Sequence, residues 1–243
     1  MKWLGALLLV IAFAAIVYFY SVHKTRIVSA HVINMEKSKD RYEDFQQKAR
    51  AAGLDVERWA GVDGATLSKE ECLAEGVPEP EYTQHKGNSK MGKIGCWIAH
   101  KNLLKKLLET PASPTDVHLI FEDDAIVPAD FFVRWNTLLH DLPANWDVVQ
   151  LGCSQPKTRK LYKCIYAPNP GWGNYGTFAY AVRHGAVKKI YDSVKIMNGP
   201  IDVMYCAKNQ QWRWYIVQPE LIPHDYGYYS NTENKRYTNA PPK

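Results

Sequence analysis

Three carboxylates in a row, Glu122, Asp123 and Asp124, close the apolar run 117–121 in the stretch HLIFEDDAIVPADF. Adjacent like charges repel, and a chain keeps them together cheaply only where they reach water or meet a cation. The run reads as a buried strand, whose side chains alternate, sending Glu122 and Asp124 to one side and Asp123 to the other. Two carboxylates on one side suit a hard divalent cation, which takes oxygen ligands and commonly shares them with substrate phosphates. A solvated loop in which one Asp caps the next helix would use the same residues differently. Other chemistries lack their signatures. No G-x-G-x-x-G opens a helix after a strand, and there is neither a G-x-x-x-x-G-K-[ST] loop nor a G-x-S-x-G elbow. The glycine-rich NPGWGNYG at 169–176 leads into the strand-like TFAYAV, so it offers phosphates no helix N-terminus.

An acidic cluster at a strand end needs a sheet to hold it. Residues 27–35 and 54–59 read as strands, separated by a helix over 39–52 that stops at Gly53. Ser68 with Glu71 three residues on has capping-box spacing. Residues 77–91 show no period and read as a loop, and 92–109 carry an apolar helical stripe. Pro128 suits the first turn of a helix reaching Leu142. Strands follow at WDVVQLG, 162–166, 177–182 and 214–217, with helices over 184–196 and from Pro200 through 202–208. Strands alternating with helices predict an α/β fold with a mostly parallel central sheet covered on both faces.

The 243 residues suffice for one such domain, and a hydrophobic content of 46% excludes a disordered chain. The net charge of +5 is scattered rather than clustered, which excludes a nucleic-acid footprint. Five cysteines show no C-x-x-C or zinc spacing; Cys153 and Cys164 could pair in an oxidising compartment, but core or free thiols are the expectation. Residues 3–22 carry no charge, long enough to cross a hydrocarbon core of roughly 30 Å, with Trp3, Tyr18 and Tyr20 near the ends. An uncleaved single-pass anchor over residues 3–22 is expected in preference to a cleaved signal peptide, dividing the chain into 1–26 and a domain over 27–243. Its membrane would be an endomembrane (Golgi or ER) in a eukaryote and the inner membrane in a bacterium.

Seven blocks occur in order: HVINMEKSKDRYEDF, RWAGVDG, GKIGCWIAHKNLL, HLIFEDDA, WDVVQLG, GTFAYAV and PIDVMY. Together, over residues 28–225, they resemble glycosyltransferase family 25, which includes bacterial lipooligosaccharide galactosyltransferases and collagen hydroxylysine galactosyltransferases. The resemblance implies a GT-A-like nucleotide-sugar-binding domain, a manganese-type ion (Mn2+), a UDP-sugar donor, a glycan or glycoprotein acceptor, and transfer of a hexose, galactose first among them, with inversion. It also implies roles. Asn34 offers its amide to the nucleotide, and Arg41 forks onto the diphosphate or pairs with Glu43 or Asp44. Asp63 reads uracil or ribose, or merely makes an Asp-Gly turn. Lys93 adds positive charge near the donor. The EDD triplet stands where GT-A enzymes keep D-x-D: Asp124 binds the metal, Glu122 reaches ribose or a metal-bound water, Asp123 faces the donor side, and His224 is the third ligand, with Asp225 in reserve. Asp202 is the expected catalytic base, and Trp172 and Tyr175 can stack on an acceptor sugar. Ala99-His100 stands where the family commonly has Ser-His. The rival readings are a non-catalytic family member that binds or adheres, and a two-metal phosphoesterase, for which the carboxylates and histidines are too few.

Overall fold

The fold is that of a computed structural model describing residues 25–88, 90–171 and 173–227 and the short pairs 229–230 and 235–236. The expected anchor at 3–22 lies outside the described residues, as does Trp172. Among the described residues no helix is long and apolar enough to cross a membrane.

The first strand, β1 (Ile27–Asn34), leads through α1 (Lys39–Ala51) to β2 (Glu57–Ala60). A 3-10 turn (Gly64–Thr66), α2 (Lys69–Ala74), α3 (Glu79–Gly87) and α4 (Met91–Leu107) follow, then β3 (Val117–Glu122) and α5 (Phe131–Asp141). The second half contains β4 (Val148–Gln150), β5 (Thr158–Tyr162), β6 (Ile165–Pro168), β7 (Ala179–Arg183), α6 (His184–Val194), α7 (Ile201–Lys208) and β8 (Trp214–Val217), and ends in the small pair β9 (Tyr229–Ser230) and β10 (Lys235–Arg236). The main sheet runs β2-β1-β3-β7-β4-β8-β6-β5.

That sheet is mixed rather than mostly parallel. β1 pairs in parallel with β2 and β3, and β4 with β8, but β7 lies antiparallel between β3 and β4, and β6 is antiparallel to both β5 and β8. Periodicity reports which face of a strand is buried, not its direction, and β7 is reached by a loop instead of a helical crossover. The expected strand over 162–166 is broken by the β5–β6 turn at 163–164, where Lys163 takes φ +44°, with Tyr162 ending β5 and Ile165 and Tyr166 opening β6. The expected loop over 77–91 contains α3. Its Glu79 and Glu81 in the first turn and His85 and Lys86 in the last match the helix dipole, a signal independent of apolar period. The Ser68–Glu71 capping box is present, with Ser68 Oγ accepting from the Glu71 N–H at 3.1 Å and Glu71 Oε2 from the Ser68 N–H at 2.8 Å. All five thiols are free.

Both faces of the sheet are covered. On one, Ile33, Ile120, Val182 and Ile216 meet Ile94, Trp97 and Leu104 of α4 and Val187 and Ile190 of α6. On the other, Val32, Leu119, Phe121 and Val149 meet Phe45 of α1 and Phe131 and Trp135 of α5. The buried Trp97 indole donates to Val194 O at 3.0 Å, locking α4 to α6. These two apolar layers fix the height at which the strand ends emerge, and with it the position of every polar group beyond them.

Candidate active site

β1 and β3 end side by side, with Ile33 in register with Glu122, while β2 lies on the other flank of β1. Strand order therefore reverses at β1, the place where open α/β sheets take ligands. A cleft of about 410 Å³ opens there, between Lys37, Arg41 and Asp63 on one side and Met91, Cys96 and His100 on the other, with Glu122, Asp123 and Asp124 at its base. The wall carrying Asp63 is set by a close approach. A Cβ on Gly95 of α4 would lie 2.2 Å from Val62 O and 2.7 Å from Gly64 N, so only glycine admits the turn there. Asp63 Oδ1 accepts from the Ala65 N–H at 3.2 Å, and its other oxygen pairs with Lys37. That Lys37 bond holds the Asp63 carboxyl below its usual range. Asp63 thus makes the Asp-Gly turn and also faces the cleft.

Asp123 is only 6% exposed. Its Oδ2 accepts from Asn34 Nδ2 at 2.6 Å, and its Oδ1 pairs with the Arg41 guanidinium. Burial pushes its carboxyl up to about 7, against the pull of Arg41. Asn34 Nδ2 also donates to Ser38 O at 2.8 Å, while its Oδ1 accepts from Arg58 Nε at 2.9 Å. In this structure the Asn34 amide is committed to protein partners and orients Asp123. Arg41 also reaches Asp124 Oδ2 at 3.3 Å. Asp123 and Asp124 therefore share one cation, and strand alternation does not separate them. The chain leaves the strand at a turn, Ala125 N–H to Glu122 O at 3.1 Å, before alternation can act on Asp124.

His224 arrives from the far end of the chain. The Leu221 and Ile222 N–H groups both donate to Leu151 O, Ile126 N–H donates to Pro223 O at 2.8 Å, and Asp225 N–H donates to Asp124 O at 2.8 Å. This bridging sets His224 Nε2 3.2 Å from Asp124 Oδ2. Burial works to lower the imidazole, but the Asp124 bond and charge outweigh it and raise His224 above its ordinary value. Asp124 Oδ1 and His224 Nδ1 are buried with no hydrogen-bond partner among the described residues. A buried carboxylate oxygen and an imidazole nitrogen without protein partners are donor types that a manganese-class ion accepts, so Asp124 and His224 fit the expected metal. Asp225 turns its Oδ1 to the Gly227 N–H at 2.8 Å.

Glu122 looks to the opposite wall. Its Oε1 accepts from Thr177 Oγ1 at 2.5 Å and lies 3.2 Å from His100 Nε2. Burial would raise its pKa, but the His100 and Thr177 bonds bring it below the usual value. Asp202, in the first turn of α7, accepts from the Val203 N–H at 2.8 Å and the Gly176 N–H at 3.3 Å. Gly176 has φ +94°, a left-handed conformation that lets the glycine-rich loop turn its amide toward Asp202. Burial raises the Asp202 carboxyl, and the charge of Lys93 on α4 works against that rise. Lys93 thus acts on Asp202. Tyr175 is held by a bridge to Ser154 at the rim of the same loop. Sequence reasoning passed over Thr177, Cys96 and His100 as site residues. The i, i+4 spacing of Cys96 and His100 on α4 was the available signal.

The family model described as "Glycosyltransferase family 25 (LPS biosynthesis protein)" matches residues 28–205, the stretch that builds both walls of this cleft. The chain belongs to glycosyltransferase family 25. Among curated relatives, the procollagen galactosyltransferase 1-A of Xenopus laevis is 27% identical over 194 residues, 72% of this chain and 30% of the relative. A glycosyltransferase 25 family member of Anopheles gambiae is 25% identical over 252 residues, 91% of this chain and 42% of the relative. One from Drosophila melanogaster is 31% identical over 169 residues, 65% of this chain and 26% of the relative. The family 25 chain thus spans less than half the length of these relatives. Its mixed α/β sheet is consistent with a GT-A-like glycosyltransferase.

Proposed function

We propose that the chain transfers galactose from UDP-galactose to a hydroxyl of a glycan or a hydroxylysine-type acceptor, with inversion, using a divalent cation of the manganese class. The observation that carries this reading is Asp124, with one carboxylate oxygen buried and open and the other between His224 and Arg41. Asp124, Glu122 and His224 would hold the ion. Charge appearing on the departing UDP is what an ion held there would neutralise.

This chain's own groups supply the rest. Arg41 and Lys37 put positive charge beside the cleft for a diphosphate, and Asp63 faces the same space for ribose or uracil. Asn34 holds Asp123, and Asp123 holds Arg41, so the guanidinium is oriented before any donor arrives. Asp202 serves as the base. Its pKa is raised by burial, which brings it nearer the pH at which it must accept a proton. The acceptor oxygen attacks the anomeric carbon from the side opposite UDP, its proton passes to Asp202, and the electron pair of the breaking C–O bond leaves with the diphosphate. The domain works beside a membrane to which residues 3–22 anchor it.

The test is calorimetric titration of UDP into the full-length protein in detergent, with and without Mn2+, for the wild type and Asp124→Asn. Binding that needs both the metal and Asp124 is expected. Equal binding by both proteins, or none by the wild type, would overturn the donor site.

A further inference from the structure

Two metal-binding side chains are left unused by the donor reading. Cys96 and His100 stand one turn apart on α4, facing Glu122 at the end of β3, and their ligand atoms all lie within 4.8 Å of one another. We propose that Cys96, His100 and Glu122 form a second cation site, selective for a borderline-soft ion of the zinc class. Thiolate with imidazole prefers such ions, whereas manganese and magnesium prefer carboxylate oxygens.

The geometry is close to what a zinc ion needs. Tetrahedral bonds of about 2.0–2.3 Å place ligand atoms about 3.4–3.8 Å apart. His100 Nε2 and Glu122 Oε1 already stand 3.2 Å apart, so closure is mainly a matter of Cys96 moving inward by about 1 Å. Supporting partners are also in place. His100 Nδ1 lies 3.0 Å from Tyr180 OH, which can accept an Nδ1–H and leave the Nε2 lone pair for the metal. Thr177 Oγ1 donates to Glu122 and fixes the carboxylate. Binding exchanges charge: the Cys96 thiol proton leaves as the thiolate takes the dication. All three residues line the cleft, so the fourth coordination position faces its open space.

This inference shares Glu122 with the donor reading, whereas Asp124 and His224 take no part in it, so loss of Asp124 separates the two. The full-length, reduced protein is titrated with Co2+, whose bond to a thiolate absorbs in the near ultraviolet. One equivalent is expected to give that band and to be displaced by Zn2+. The band should vanish in Cys96→Ser and persist in Asp124→Asn and in Cys164→Ser. No band in the wild type, or an unchanged band in Cys96→Ser, overturns the site. X-ray absorption of the zinc-loaded wild type needs no variant: one sulfur shell at about 2.3 Å is expected, and a shell of only nitrogen and oxygen overturns it.

Discussion

Lowering the pH from 7 toward 4 should destabilise this protein through a histidine that the cleft does not use. His118 is fully buried near the start of β3, with Nδ1 2.7 Å from Ser29 Oγ and Nε2 3.0 Å from His184 Nδ1. Burial, and then the neighbouring charges of His184 and His31, hold its pKa down to about 4 from 6.5, with Asp116 pulling weakly the other way. In the unfolded chain His118 takes its proton near 6.5, while in the folded chain it resists to about 4. A cationic group whose folded pKa is depressed contributes fully above the unfolded value and loses that contribution as pH falls to the folded one. At about 1.36 kcal/mol per pH unit, that interval is worth up to about 3 kcal/mol, a large part of a typical net stability of about 5–15 kcal/mol. Burial lowers His31 too, and its effect has the same sign. The assay is urea unfolding followed by tryptophan fluorescence at a series of pH values, for wild type and His118→Gln. The variant's overall stability is not the readout. Its slope of stability against pH should be shallower by up to about 1.4 kcal/mol per pH unit between 6.5 and 4. Equal slopes would refute the reasoning.

Three further outcomes can be stated. Gly95→Ala forces a methyl against Val62 O, so it should cost about 1–3 kcal/mol in thermal unfolding and weaken UDP binding by displacing Asp63; a variant equal to wild type in both would refute the close approach as the determinant of that wall. Arg41→Met leaves Asp123 and Asp124 without their shared cation, and breaking such a buried pair costs about 3–5 kcal/mol; thermal shift should show that loss and its partial recovery in Mn2+, whereas no recovery would count against the ion. Asp202→Asn should lower kcat for galactose transfer by about 10²–10⁴-fold while leaving UDP binding intact, and a fall in UDP affinity alone would remove Asp202 from the base role.

The elements closest to the site could be read from sequence because each carried a local signal. The apolar run before Glu122, the 39–52 helix closed by Gly53 and the Ser68–Glu71 box all depend on contacts within a few residues. Strand direction does not. Nothing local to 177–182 says that β7 enters beside the end of β3 and runs against it, yet that reversal is what brings Thr177 to Glu122. The site divides along the same line. Asp123, Asp124 and Arg41 converge as a charged group at a strand end is expected to, but Asn34 spends its amide on Arg58, Ser38 and Asp123, a set of partners visible only once three elements have met. The placement of Asp124 beside Asp123, rather than across from it, follows from the turn hydrogen bond from Ala125 N–H to Glu122 O at the end of the strand, where alternation ends.

His224 reaches the acidic triplet on a segment that follows the last main strand, whereas Arg41 precedes the triplet in the chain. As the polypeptide is made, Glu122, Asp123 and Asp124 emerge when Arg41 already exists and His224 does not. The guanidinium is therefore the first counter-charge the triplet can meet, and the imidazole is the last component to arrive. Until residue 224 is made, Asp123 and Asp124 have Arg41 but lack the imidazole beside Asp124. The order of residues thus works as an assembly sequence in which pairing of the acids comes early and readiness of the site waits for His224.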